Sequence, residues 1–326
     1  MRIASLPGDG IGPEVMTAAR AVLDVVAPEV GVMEHVFGGA AIRATGTPLP
    51  EETRTACTTA DAVLLGAVGL PEYDAAAVRP EQGLLALRRE LDVFANLRPA
   101  RGDGIDVLIV RELVGGLYYG ARGTRPDGTV FDTCEYHPSQ VERIARKAFE
   151  LARTRSGRLA SVDKANVLET SRMWRRVVTD MGAENPDVEL EHVLVDNAAM
   201  QLILAPQRFD VIVTENTFGD ILSDEVAALT GGLWLAASAS LSDGGPGIFE
   251  PVHGSAPDIA GRGIANPAAM LRSLALLLEH ALGRREDAAR LEEAVDAALA
   301  TAPTPDLGGN ATTASFTEAV LSALPI

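Results

Sequence analysis

The chain has 326 residues, of which 47% are hydrophobic and 22% are charged, and its net charge is -17. This composition is typical of a globular protein of one large or two ordinary domains, and the acidic balance argues against nucleic acid as a partner, because a duplex-binding protein presents a basic face. No apolar run is long enough to span a membrane, the N-terminal MRIASLPGDG lacks the basic start and apolar core of a signal peptide, and two distant cysteines, Cys57 and Cys134, predict free thiols in a reducing cytoplasm.

The chain begins with a predicted strand at residues 2–6, a glycine-rich turn at 7–13 and a helix that reaches about residue 26. A turn of this kind between a strand and a helix can bind phosphate. In PGDGIGP, however, the glycines alternate, whereas the dinucleotide fingerprint requires G-x-G-x-x-G, and no P-loop lysine follows. The spacing favours a structural turn, with contact to a cofactor as the alternative.

Predicted strands and helices alternate along the rest of the chain. The strands are expected at 62–68, 94–98, 105–110, 158–162, 188–195 and 211–213, and the helices at 81–89, 138–155, 171–181, 267–282, 286–300 and 313–324. Residues 115–136 are rich in Gly, Thr and Tyr and contain a Pro-Asp-Gly turn, which predicts a projecting hairpin. The alternation predicts the α/β class.

Three arginines lie near the ends of predicted elements. Arg88 is one turn beyond Leu84 on the helix, Arg98 is at the end of an extended segment that Pro99 closes, and Arg111 ends a strand. Singly they could be surface charges. Together they indicate a clamp for a substrate with more than one carboxylate.

A lysine and an aspartate follow two further strands. Lys164 comes directly after the 158–162 strand, beside Asp163, and a salt bridge is its alternative role. Asp196 opens the helix after the 188–195 strand, where an aspartate is most often an N-cap.

The stretch TENTFGDILSD at residues 214–224 follows a buried strand. A turn containing Asn216 and Gly219 is predicted first, and then a helix on which Asp220 and Asp224 share one face. A solvated acidic face is the alternative for such a pair. The neighbouring apolar residues, with no Cys or His nearby, favour oxygen ligands for Mg²⁺ or Mn²⁺.

The loop at residues 250–267, EPVHGSAPDIAGRGIANP, is long and rich in Gly and Pro. Long loops without secondary structure are commonly functional in compact proteins.

The chain resembles the β-decarboxylating dehydrogenases of the isocitrate/isopropylmalate family. The matching stretches run nearly end to end in the family order: LPGDGIGPEV, FGGAAI, LLALRR, NLRPA, IVREL-x-GG-x-YYG, SVDKANVLE, VDNAAMQL, FGDILSD and EPVHGSAPDIAGRGIANP. Jointly they are highly specific.

The resemblance implies a two-domain α/β fold with a shared mixed sheet, unlike the usual Rossmann fold. The cofactor-binding domain would combine residues 1–93 and 231–326, and residues 94–230 would form the dimerisation and metal/substrate domain, with a hairpin arm at about 119–136. Family members are homodimers whose active sites take residues from both subunits.

The family motifs assign metal and catalytic roles to particular residues. Asp220 and Asp224 of one subunit and Asp196 of the other would bind the metal. Lys164, also from the partner, would be the base on the substrate hydroxyl, and Tyr118 the acid that protonates the enol. The reaction implied is the metal-dependent oxidative decarboxylation of 3-isopropylmalate in leucine biosynthesis.

The remaining roles concern the substrate and the cofactor. Substrate carboxylates would be bound by Arg88, Arg98 and Arg111, and the side-chain pocket would be formed by Glu81, Leu84, Leu85 and Val167. This pocket is apolar and flanked by an acid, which favours a branched alkyl group over a third carboxylate. Cofactor contacts would come from Asn166, Glu250, His253, Gly254, Ser255, Ala256, Asp258, Ile259 and Asn266.

The carboxylate of Asp258, followed by Ile259, predicts NAD, because it can accept from ribose hydroxyls and would repel a phosphate. Two features depart from the family pattern: a short loop at residues 101–106, read as trimmed surface, and the bulky Trp234 in GLWLAAS. Trp234 keeps open activity on another 3-substituted malate, D-malate or tartrate. A regulatory subunit or a metal-binding protein would not need the complete set of base, acid and cofactor residues.

Overall fold

The computed structural model of the chain describes residues 1–102 and 104–324. In these residues the strands are β1 (Arg2–Gly8), β2 (Gly31–Glu34), β3 (Ala62–Ala67), β4 (Ala95–Gly102), β5 (Ile105–Glu112), β6 (Arg122–Thr124), β7 (Val130–Asp132), β8 (Arg158–Asp163), β9 (Glu189–Leu194), β10 (Val211–Thr214), β11 (Ala237–Leu241) and β12 (Gly247–Pro251). The α-helices are α1 (Gly12–Val26), α2 (Gly38–Thr45), α3 (Glu51–Thr59), α4 (Pro80–Glu90), α5 (Pro138–Arg153), α6 (Glu169–Glu184), α7 (Val195–Leu204), α8 (Asn216–Leu229), α9 (Ala268–His280), α10 (Arg285–Thr301) and α11 (Thr313–Ala323). Strands and helices alternate, so the α/β class is confirmed.

The chain divides into two compact units, of which the first contains Met1–Val93 and Leu233–Ile326. Its strands lie in the order β2-β1-β3-β12-β11. The first four are parallel and β11 is antiparallel to β12, so the sheet is mixed. β3 is buried along its whole length, as its continuous apolar sequence AVLLGA requires of a strand covered on both faces.

The second unit contains Phe94–Gly232. Its strands lie in the order β4-β5-β10-β8-β9, with β4 antiparallel to β5 and the others parallel. Side chains of β5, β8 and β10 form one apolar core with α7 and α8. Leu222 and Val226 place one face of α8 in this core, which leaves Asp220 and Asp224 on a different face.

The predicted hairpin consists of β6 and β7, which pair only with each other in a separate two-stranded sheet. Gly128, with φ of +86°, supplies the left-handed residue of the turn. The hairpin prediction is therefore correct.

Several local predictions are wrong. β4 continues through Pro99, which is paired with Leu108, so Arg98 lies within a strand and not at its end. A proline is tolerated there provided that the ladder needs no donor at that position. Glu250 belongs to β12 and not to a loop. The short elements β2, α2, α3, β11 and β12 were not predicted.

The two departures from the family pattern are both local. Arg101 pairs with Asp106 across the β4–β5 turn, and Asp103 within this short loop lies outside the described residues. Trp234 is in a short 3-10 turn and is 41% exposed. No helix in residues 1–102 or 104–324 is long and apolar enough to cross a bilayer.

Candidate active site

Helix α8 starts directly after β10, because the side chain of Glu215 accepts a hydrogen bond from a backbone N–H of the first turn at 2.7 Å. Asn216 and Gly219 are therefore helical, and the prediction that they form a preceding turn is wrong. Asp220 and Asp224 remain one turn apart on the helix, as predicted.

Both aspartates of α8 face arginines of the neighbouring strands. Arg111 donates from Nη1 to Asp220 Oδ1, and the hydroxyl of Tyr118 donates to Asp220 Oδ2 at 2.9 Å. Nitrogens of Arg98 lie 3.6 Å from Asp220 and 3.2 Å from Asp224. The second unit thus brings together two predicted metal ligands, two predicted carboxylate-binding arginines and the predicted proton donor.

Burial and charge shift the pKa values of two groups in this cluster. Burial raises the pKa of Asp224, an effect that Arg98 opposes and Asp220 increases. Burial, followed by the negative charge of Asp220, raises the pKa of Tyr118. Tyr118 therefore keeps its phenolic proton at neutral pH, as a proton donor must.

Lys164 and Asp196 form a second pair in the same unit. Lys164 follows β8, and its Nζ donates to Asp196 Oδ1 at 2.6 Å. This bond lowers the pKa of Asp196. Leu194 is the N-cap of α7 and Asp196 is the second residue of that helix, so the N-cap interpretation of Asp196 is wrong. The alternative of a salt bridge for Lys164 is seen, with Asp196 and not Asp163 as partner.

The predicted metal ligands are only partly grouped within one chain. Among the described residues, no three His, Cys, Asp or Glu side chains lie close enough together to hold a metal ion. Asp220 and Asp224 offer hard carboxylate oxygens on one helix face, which is the donor type that fits Mg²⁺ or Mn²⁺. Any third protein ligand would come from outside this cluster.

In the first unit, Arg88 is held by Glu250. Arg88 Nη2 lies 2.6 Å from Glu250 Oε1, and the two side chains are 13% and 11% exposed. A charge pair this well shielded from water is held more firmly than a surface pair. It fixes the guanidinium of Arg88 next to β12.

The four predicted pocket residues divide between two elements. On α4, Leu87 and not Leu84 or Leu85 fills the fully buried core position, and Leu85 is 38% exposed. Glu81 is exposed at the start of the same helix. Val167 is 59% exposed in the turn after Lys164. The neighbouring Asn166, a predicted cofactor contact, is exposed in the same turn.

The glycine-rich turn after β1 touches the predicted cofactor loop. Ile11 donates from its backbone N–H to Ser255 O at 2.8 Å, and Ser255 Oγ donates to Gly69 O. A Cβ on Gly10 would lie 1.9 Å from Ser255 O. The turn therefore supports the loop by direct backbone packing, which agrees with its structural interpretation.

His253 carries an unpaired polar atom in this loop. Its Nδ1 lies 2.9 Å from Gly254 O, and its buried Nε2 has no hydrogen-bond partner among the described residues. Burial lowers the pKa of His253, so the ring is neutral and Nε2 can accept from a ligand. This orphaned acceptor, with the exposed carboxylate of Asp258 nearby in sequence, fits a nucleoside with donor groups.

Other residues of the loop shape its backbone. Ala256 has φ of +39°, and Ile259 donates its N–H to Ala256 O at 3.1 Å. Asn266 Oδ1 accepts from Ala268 N at 2.9 Å, so this side chain helps to start α9.

Two buried carboxylates of the second unit, Glu112 and Glu215, were not predicted to have a role. Glu112 accepts backbone hydrogen bonds from Val114 at 3.1 Å and Gly115 at 2.8 Å, and Tyr136 Oη lies 3.3 Å from Glu215 Oε2. Burial raises the pKa of Glu112 to about 7 and also raises those of Tyr136 and Glu215. The position of Glu112 shortly after an apolar strand was the one feature of the sequence that could have indicated its burial.

Comparisons with known proteins agree with this arrangement. Residues 2–320 match the isocitrate/isopropylmalate dehydrogenase family. Relatives include the 3-isopropylmalate dehydrogenases of Zymomonas mobilis, 53% identical over 99% of this chain and 100% of that protein, and of Bacillus subtilis, 51% identical over 99% and 97%.

Solved structures of decarboxylating dehydrogenases have the same fold as this chain. The isocitrate dehydrogenase of Methylococcus capsulatus superposes with a TM-score of 0.92 at 36% identity, covering 99% of both chains. A β-decarboxylating dehydrogenase of Thermococcus kodakarensis superposes with a TM-score of 0.88 at 38% identity, covering 99% of this chain and 96% of that one.

Fold, site and relatives together define a decarboxylating dehydrogenase, an oxidoreductase that acts on a small molecule. The chain belongs to the isocitrate/isopropylmalate dehydrogenase family.

Proposed function

We propose that the protein catalyses the NAD- and divalent-metal-dependent oxidative decarboxylation of 3-isopropylmalate to 2-oxo-4-methylpentanoate, a step of leucine biosynthesis in the cytoplasm. The observation that carries this proposal is the cluster of Arg98, Arg111 and Tyr118 around Asp220 and Asp224. Relatives at 51–53% identity that are named 3-isopropylmalate dehydrogenase support the choice of substrate.

The residues of the chain would divide the work as follows. Arg88, Arg98 and Arg111 bind the two malate carboxylates, since guanidinium groups match carboxylates with paired donors. Lys164 of the partner subunit accepts the proton of the substrate hydroxyl. After loss of carbon dioxide, Tyr118 gives its phenolic proton to the enol carbon.

Two groups from solution complete the site. NAD, when bound, would supply the hydride acceptor, and a divalent cation would be held by Asp220 and Asp224 together with Asp196 of the partner subunit and would supply Lewis acidity. The chain's arginines keep the substrate oriented while Lys164 first takes the proton of the substrate hydroxyl and Tyr118 later gives a proton to the enol carbon.

NAD is the proposed cofactor because of Asp258. Its exposed carboxylate can accept hydrogen bonds from free ribose hydroxyls and would repel a 2′-phosphate. The buried, unpaired Nε2 of His253 supports nucleoside binding by the same loop.

We propose that the site is specific for a substrate with a branched alkyl side chain. Leu85 and Val167 are large apolar residues left exposed at positions where the family binds the substrate side chain. An alkyl group that covers exposed leucine and valine side chains removes apolar surface from water, which favours binding. A third carboxylate placed there would lose its hydration, which disfavours binding.

A homodimer is the proposed assembly. Helix α7 exposes Met200, Ile203 and Leu204, and α8 exposes Ile221, so that apolar side chains face outward on two adjacent helices. An exposed apolar patch of this kind marks an interface. The separate β6–β7 hairpin supports an arm that reaches the partner.

A substrate panel tests the proposal. NADH formation is measured with 3-isopropylmalate, D-malate, tartrate and isocitrate, each with and without a chelator. We expect turnover of 3-isopropylmalate that the chelator abolishes. Preference for an unbranched acid would overturn the pocket assignment, with Trp234 the first residue to examine, and no turnover of any of the four would contradict the proposed function.

A further inference from the structure

Asn216 joins helix α8 to the strand that carries Arg111. The side chain of Asn216 is fully buried, and its Oδ1 accepts from Arg111 Nε at 2.9 Å and from Nη2 at 2.7 Å. Both nitrogens on one edge of the guanidinium are therefore bound to a single oxygen of the protein. The remaining nitrogen, Nη1, is directed to Asp220.

The amide nitrogen of the same side chain binds a second segment. Asn216 Nδ2 donates to Leu113 O at 3.2 Å and to Gly115 O at 3.0 Å. These carbonyls belong to the short segment that leads from β5 to Tyr118. One buried amide thus bonds both to the arginine and to the backbone before the proton donor.

Gly219 lies directly against the aliphatic stem of Arg111. A Cβ on Gly219 would lie 2.7 Å from Arg111 Cγ and 2.8 Å from its Cβ, closer than real Cβ contacts allow. The stem of Arg111 therefore packs directly against the backbone of α8. Asn216 therefore binds the guanidinium of Arg111, and the backbone of α8 at Gly219 packs against its stem.

We infer that Asn216 is a positioning residue for substrate binding: it fixes the guanidinium of Arg111 in one orientation before the dicarboxylate arrives, and Gly219 leaves the room that this orientation needs. The inference rests on the proposed function, in which Arg111 binds a substrate carboxylate. An arginine that is already ordered loses little side-chain entropy on binding, whereas a free one loses a substantial amount.

The expected effect appears in substrate affinity. Asn216→Ala frees the guanidinium, and Gly219→Ala pushes the stem away while the bonds of Asn216 remain possible. Displacement of a positioning group by about 1 Å can cost roughly 100-fold. We expect either variant to raise KM for the malate substrate by about 10- to 100-fold while KM for NAD changes by less than about twofold.

A matched control separates positioning from folding. Thr214→Val also removes a fully buried hydrogen bond, from Thr214 Oγ1 to Val162 O at 2.9 Å, at the same strand–helix junction. Its side chain points to β8, on the side of β10 away from β5. The control should lower thermal stability and leave KM for the malate unchanged.

A double-mutant cycle with Arg111→Lys tests whether Asn216 affects substrate binding through Arg111. Lysine lacks the forked guanidinium that Asn216 binds, so Asn216→Ala should add less than about a further twofold to KM in that background. If the effects of the two substitutions instead multiply, or if KM for NAD rises as much as KM for the malate, Asn216 does not act through Arg111 and the inference is wrong.

Crystal structures of the full-length wild type and of Asn216→Ala give a readout that does not depend on turnover. A shifted or disordered Arg111 guanidinium in the variant supports the inference even if no malate of the panel is turned over. An unmoved Arg111 overturns it even if the wild type is active on 3-isopropylmalate.

Discussion

Tyr118 and Lys164 differ in the exposure of the carboxylates to which they donate. Tyr118 donates to Asp220 and is partly buried, and both effects keep its proton in place. Lys164 donates to Asp196, a carboxylate that is 65% exposed. The proposed acid therefore has its hydrogen-bond partner within its own cluster, whereas the proposed base is bound to a carboxylate that water and a ligand can reach.

Lys164→Ala should lower kcat by about 100- to 10,000-fold, the usual contribution of a positioned general base. The thermal midpoint should change little, because a partly exposed ion pair contributes little to stability. Steady-state kinetics and thermal unfolding measure the two effects. Lys147→Ala, which breaks a similar pair with Glu150, should retain full turnover; unchanged turnover in Lys164→Ala would remove this lysine from the mechanism.

Glu112 should make stability depend on pH. Its pKa is raised from 4.5 to about 7 in the folded state, so folding favours the protonated form. Its stabilising contribution is complete below about pH 4.5 and is lost as the pH rises through about 7. At about 1.4 kcal/mol per pKa unit, the loss amounts to about 3 kcal/mol of unfolding free energy.

Urea unfolding of the wild type and of Glu112→Gln at several pH values between 5 and 8 checks this. The decline with pH should be smaller in the variant by about this amount. Glu150→Gln, at an exposed site, should keep the slope of the wild type. Parallel curves for Glu112→Gln and the wild type would show that Glu112 does not titrate in this range.

Asp258→Ala should weaken the preference for NAD over NADP by about 10-fold, because a charged acceptor for the ribose and a charge that repels phosphate are both removed. The ratio of kcat/KM values for the two cofactors measures it. Asp243→Ala, at another exposed aspartate, is the control. A ratio that does not move would assign cofactor choice to other residues.

Helix α8 explains both a success and an error of prediction. The spacing of Asp220 and Asp224 gave their common face correctly. Asn216 and Gly219 were read as a turn because both residue types favour turns, but the Glu215 cap and the buried bonds of Asn216 outweigh that preference. Short strands such as β2, which is mostly exposed, carry too little hydrophobic pattern to be predicted.

Helix α7 should be required for self-association. Ile203→Asp puts a charge on its exposed face, which a monomer tolerates and a buried interface does not. We expect a monomer in analytical ultracentrifugation and, because each site of the proposed dimer takes residues from both subunits, loss of turnover. Met33→Asp, at an apolar residue of β2 with the same 61% exposure, should remain dimeric. An active monomer would contradict the shared site.

Across the whole chain, the α/β class followed from the alternation of elements and the proposed catalytic roles from family motifs. The supporting contacts did not, since Arg111 and Asn216 are 105 residues apart and no local pattern joins them. Glu112 is likewise buried and Tyr136 is half-buried, and the partners of both depend on tertiary packing. The sequence therefore pointed to candidate substrate-binding groups and not to the buried residues that hold them.

The products of the proposed reaction can be measured together in a single experiment. After incubation of the purified protein with 3-isopropylmalate, NAD and Mg²⁺, we would measure NADH, carbon dioxide and 2-oxo-4-methylpentanoate in the same sample. Equal amounts of all three, and none with chelator, are the predicted result. NADH without carbon dioxide, or no NADH from this malate, would contradict oxidative decarboxylation of 3-isopropylmalate by this site.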